Sequence, residues 1–107
     1  LRHGLPDHLT HAYIVLLHRF SNINSDSGWL AGNRALAGFS ATLIAQYPDA
    51  LCFRVMGDDF VLLTGKSLHI DGELLKALSP LKDTQVEIEV RPLDPRGADR
   101  DYLLQLL

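Results

Sequence analysis

An α+β fold built on an antiparallel sheet is predicted by three features of the sequence. Residues 51–56 and 85–91 alternate apolar and polar side chains with the two-residue period of half-buried strands. Ala12-Tyr13-Ile14-Val15-Leu16-Leu17 is an unbroken apolar run rich in β-formers, too short for a helix that must pack alone. Between them, Leu36, Phe39, Leu43 and Tyr47 recur at spacings of 3, 4 and 4, the signature of one helix face.

The elements follow in order. Ala12–Leu17 reads as a central strand covered on both faces. A polar loop, Ser21-Asn22-Ile23-Asn24-Ser25-Asp26-Ser27-Gly28, leads into a helix over Trp29–Gln46, which Pro48 ends. In the next strand Leu51, Phe53 and Val55 face one way and Cys52, Arg54 and Met56 the other. Gly57-Asp58-Asp59 is a turn signal, and Phe60-Val61-Leu62-Leu63 returns as a strand, making a β-hairpin. Asp71 can cap a short helix through Leu78 that buries Ile70, Leu74, Leu75 and Leu78, with Pro80 as its stop. In the last strand Val86, Ile88 and Val90 point inward and Glu87, Glu89 and Arg91 to water, and Pro92 and Pro95 break it. Asp99–Leu107 can form a final helix with Tyr102, Leu103 and Leu106 apolar. This β-α-β-β-α-β order plus a terminal helix is the ferredoxin-like arrangement, with helices on one face of the sheet.

At 107 residues, with no repeat, linker or low-complexity tract, the chain is expected to form a single domain, residues 1–107. It starts at Leu1 without an initiator Met and reads as a fragment of a longer protein. The formal charge of −3, with acids and bases interspersed, argues against nucleic acid as a partner. No apolar run reaches the ~20 residues of a membrane span, so direct membrane insertion is not expected, and no signal peptide opens the chain. The single cysteine, Cys52, excludes an internal disulfide and suits a reducing compartment, where it would pack as a small hydrophobe. His8 and His11 give the only metal-like histidine spacing, near a terminus expected to be loose.

Two places carry candidate chemistry. The hairpin tip Met56-Gly57-Asp58-Asp59 brings two adjacent carboxylates to a tight turn, which suits either solvent or a cation. The loop from Phe20 to Gly32 joins strand to helix, where ligands commonly bind, and the Asn24 and Asn33 amides at its two ends could each read a base edge. Each signal taken alone is ordinary loop composition.

Taken together, Phe20-x-x-Ile23-Asn24-x-x-x-Gly28-x-x-x-Gly32-Asn33-x-x-Leu36 and Arg54-x-Met56-Gly57-Asp58-Asp59-Phe60 resemble the GGDEF family of diguanylate cyclases. There a strand with D-x-D-x-F-K-x-I-N-D leads into G-H-x-x-G-D on a helix, and R-Y-G-G-D-E-F forms a hairpin. His3-Gly4-Leu5-Pro6-Asp7 is similar to a worn form of the opening T-G-L-P-N-R. The motifs cover about residues 1–64; beyond that only the order of elements agrees. The resemblance implies a nucleotide-cyclase-like fold and, in active members, a dimer that joins two GTP molecules into cyclic di-GMP with Mg²⁺.

By position, Asn24, Asn33 and Gly57 fall in the nucleotide site, Asp58 on a metal carboxylate and Asp59 on the acid that activates the attacking hydroxyl. The departures are severe. The first metal Asp is Leu16, which offers Mg²⁺ no oxygen, although any residue at Leu17 could still supply a main-chain carbonyl. Asn33 replaces the Asp that accepts from guanine, Met56 stands where a Gly lets the backbone approach phosphate, and Asp59 is one methylene short. The Lys after D-x-F is Ser21, the His of G-H is Trp29, and the inhibitory product site would fall on Tyr47 and Ala50, so it is absent. Arg96 and Arg100 are the nearest candidates for the family's late phosphate-contacting pair. The chain is also shorter than such domains run.

The expectation is therefore a catalytically silent, degenerate GGDEF-like domain with regulatory or dimerising duties in cyclic di-GMP signalling. EAL or sensor domains of the same chain, and a second copy, are the implied partners. No cofactor is expected, except Mg²⁺ with GTP if weak nucleotide binding survives. The implied location is cytoplasmic, including the cytoplasmic part of a membrane-attached protein. The alternative is a residual diguanylate cyclase acting through Asp58 and Asp59.

Overall fold

The computed structural model describes residues 5–23 and 28–107. Strands β1 (His11–His18), β2 (Leu51–Val55), β3 (Asp59–Thr64) and β4 (Glu87–Leu93) form one sheet in the spatial order β2-β3-β1-β4. Every pairing is antiparallel: Val15 lies opposite Phe60 on one side and Val90 on the other, and Phe53 opposite Val61. Helix α1 (Trp29–Gln46) joins β1 to β2, α2 (Gly72–Leu78) joins β3 to β4, and α3 (Arg100–Leu106) follows β4. The fold class is thus α+β with a four-stranded antiparallel sheet.

The two central strands explain the stacking of layers. In β1, Tyr13, Val15 and Leu17 join one buried cluster while Ala12 and Ile14 join another; in β3, Phe60 and Leu62 divide from Val61 and Leu63 in the same way. The first cluster is completed by Leu36, Phe39 and Leu43 of α1 and Leu75 of α2. The Phe39 and Phe60 rings meet there with centroids 5.5 Å apart and planes tilted by 51°, an edge-tilted contact of the favoured kind. The second cluster is closed by Leu103 of α3, which is fully buried. Helices therefore cover both faces, where the sequence led us to expect one. A sheet whose middle strands are apolar on both sides needs a cover on each.

Three further expectations are corrected. The hairpin turn is Met56-Gly57-Asp58, because Val55 pairs with Asp59 and draws that residue into β3. Pro92 does not break β4 but lies within it, opposite Tyr13. As an edge strand β4 has one row of backbone groups without a sheet partner, and a residue lacking an N–H is tolerated there. In α2 only Leu75 is buried, while Leu74 and Leu78 are exposed. Seven residues make two turns and present one narrow face. Asp71 does cap this helix, its Oδ1 accepting from the Glu73 and Leu74 N–H groups at 3.0 and 3.2 Å.

Candidate functional site

The hairpin loop has an unusual backbone. Met56 (φ 52°) and Gly57 (φ 87°) both lie in the left-handed region, which costs glycine nothing and another residue about 1–2 kcal/mol. Arg54, the last residue but one of β2, donates through Nε to the Gly57 carbonyl and ties the loop to its own strand.

This loop stands across from the start of α1, and the two enclose an open cleft of about 270 Å³. Phe20 and Leu36 supply its buried apolar wall. Trp29 and Met56, 70% and 68% exposed, form its rim. The polar groups are Asn33 from α1, Arg54 from β2 and Asp58 from the loop, with Ser21 beside them. Among the described residues the cleft thus carries one guanidinium and one carboxylate.

Of the residues singled out by sequence, Asn33, Gly57 and Asp58 come together here. Asn24 lies outside the described residues. Asp59 and Leu16 do not line the cleft. The Asp59 carboxylate accepts from the Leu17 N–H at 3.1 Å. Partial burial pushes its carboxyl above the ordinary range, and the charge of Asp58 pushes the same way, against the pull of the Leu17 N–H and of His18. Leu16 is half-buried against the second cluster, on the sheet face covered by α3. Leu16, where the resemblance would put a metal carboxylate, thus packs against a hydrophobic cluster. Among the described residues no group of three or more His, Cys, Asp or Glu side chains is placed to hold a metal ion. Asp58 alone does not meet the oxygen demand of Mg²⁺, so the described residues do not fit that ion.

Trp29 neither fills nor seals the cleft but stands exposed at its edge. Arg96 reaches the carbonyls of Pro6 and Leu9 and lies 3.8 Å from Asp7, fastening the segment before β1. Arg100 lies beside Asp101 at 3.4 Å. Neither faces the cleft. Tyr47 is occupied in holding the approach to α2, accepting from the Asp71 N–H and donating to the His69 carbonyl. Arg54 belongs to the quoted hairpin motif but was assigned no site role from sequence, and it lines the cleft. The available signal was strand alternation, which puts it on the same side as Cys52, beneath the helices.

Compared with known proteins, the sequence matches no family model and no curated protein. Among the described residues no helix is long and apolar enough to cross a membrane.

Proposed function

We propose that the chain is a GGDEF-like domain that has lost turnover and serves as a regulatory and dimerising module of a cyclic di-GMP signalling protein. In this reading its cleft is a weakened GTP site. The observation that carries the reading is the meeting of two separated motifs in one cleft: Asn33 on α1 faces the Met56-Gly57-Asp58 loop. Support also comes from the sheet, whose order β2-β3-β1-β4 with antiparallel pairing is that of a ferredoxin-like βαββαβ core.

Silence follows from the donor set. Phosphoryl transfer depends on positioning and on neutralising phosphate charge. Here Leu16 contributes to a core, Asp59 is engaged by the Leu17 N–H, and one carboxylate remains at the loop. What the residues can still do is bind: an amide, a guanidinium and an aromatic rim recognise a nucleotide without reacting with it. Occupancy would stiffen the contact between α1 and the hairpin, a change that neighbouring EAL or sensor domains, or a second copy, can read.

Calorimetry with GTP and Mg²⁺, with ATP alongside, tests the reading together with an assay for cyclic di-GMP. We expect weak heat from GTP, reduced in Asn33→Ala, and no product with Mg²⁺ or Mn²⁺. Product formation that disappears in Asp58→Ala would establish the residual cyclase instead. Absence of heat at millimolar GTP would remove GTP as the ligand of the cleft and favour a module that works through protein contacts.

A further inference from the structure

We propose that the cleft between α1 and the β2–β3 hairpin takes a purine mononucleotide without a metal and does not distinguish adenine from guanine. The inference rests on the nucleotide reading of the cleft and changes which nucleotide it admits.

The first argument is the chemistry of Asn33. Its amide presents an acceptor, Oδ1, beside a donor, the Nδ2 amino group. Along the base-pairing edge, adenine offers a donor and then an acceptor, guanine an acceptor and then a donor. An amide matches either by turning over about its last torsion. A carboxylate only accepts, and so matches guanine's adjacent N1–H and amino group alone. Among the described residues no hydrogen bond pins the Asn33 amide in one orientation. Both orders are open to it.

The second argument is charge and size. Among the described residues that line the cleft, Arg54 is the one guanidinium and Asp58 the one carboxylate. Arg54 can meet one phosphate, whereas a triphosphate would bring further negative charge towards Asp58 with no second cation among the described lining residues. A volume of about 270 Å³ suits a base and ribose better than a long polyphosphate. The rim favours purines over pyrimidines, because two fused rings cover more of Trp29 than one.

Trp29 is the single tryptophan, so intrinsic fluorescence reports on the cleft itself. The protein is titrated with AMP, GMP and CMP in the absence of metal, and with GTP plus Mg²⁺, free N-acetyltryptophanamide correcting for absorption. AMP and GMP are expected to quench Trp29 with half-saturation within about threefold of each other and CMP to be at least about fivefold weaker; Asn33→Asp should move the preference towards GMP by about tenfold. A wild-type preference for GMP above about tenfold, equal binding of CMP, or an unchanged ratio in Asn33→Asp would overturn the proposal while leaving a nucleotide site. Quenching by GTP with Mg²⁺ alone would also overturn it and leave the site intact. Quenching by none of the four, with no heat in calorimetry, would remove the nucleotide site along with the proposal.

Discussion

Met56 holds a backbone conformation that suits glycine better than its own side chain. Its φ of 52° is a conformation that glycine holds freely, yet its side chain is 68% exposed and gains little from packing. Met56→Gly should therefore stabilise the domain by up to about 1 kcal/mol, part of the relief of left-handed strain being offset by the greater freedom of glycine in the unfolded chain. Urea denaturation with an unchanged slope reads this directly, and a lower midpoint would mean that Met56 packs on something that matters. Asp59 makes a pH prediction. Because its folded carboxyl sits above the unfolded value, chiefly through burial, the folded state holds the proton more tightly. Stability from this group is fully present below the unfolded pKa and is lost as pH rises through the folded one. Asp59→Asn keeps an oxygen for the Leu17 N–H and removes the charge beside Asp58. It should melt about 1–3 °C above the parent at pH 7, solvent screening leaving only a fraction of a kcal/mol, and the gap should close in acid. Glu89 runs the other way, its carboxyl held down first by Arg91 and then by His18, so its contribution fades as pH falls. The difference between Asp59→Asn and parent cancels that background; a gap that widens in acid would contradict the assignment.

At the scale of elements, helix placement was more legible than helix burial. The 3-4-4 spacing located α1, and all four residues that defined its face pack on the sheet cluster. The same spacing logic overcounted α2, because a short helix gives no period long enough to separate one leucine face from another. Contacts between elements were invisible for a different reason. At Gly38 in α1, a Cβ would run into Pro80 Cγ and Cδ, an approach made by a loop distant in sequence and unmarked by any local pattern. Gly38→Ala sets a gain in helix propensity of about 1 kcal/mol against overpacking of about 1–3 kcal/mol on a stiff ring. We expect a net loss of about 1 kcal/mol in chemical denaturation. A net gain would show that the Pro80 segment yields at no cost.

For the molecule as a whole, the sequence disclosed which strands are buried but not what buries each face. The apolar run of β1 required two covers; that α3 supplies the second depends on a docking no window of residues records. The candidate site divides in the same way. Asn33, Gly57 and Asp58 were legible as motif positions, and that Leu16 offers a metal no oxygen was legible from its residue type. Arg54 in the cleft and the capture of Asp59 by the Leu17 N–H arise from how the hairpin registers against β1, so they needed the fold. The same dependence makes α3 a test of the architecture. Leu103 is fully buried with Ile14, Val61 and Leu63, and Leu106 packs beside it. Removing residues 99–107 should uncover that face while leaving Arg96 on the Pro6 and Leu9 carbonyls. The shortened protein is expected to bind the hydrophobic dye ANS and to melt well below the parent, and Leu103→Ala in the full chain should cost about 2–5 kcal/mol. If the truncated chain kept the parent's melting temperature and bound no dye, the sheet would have to be stable with one face open, and the two-sided core would not be what holds this domain together.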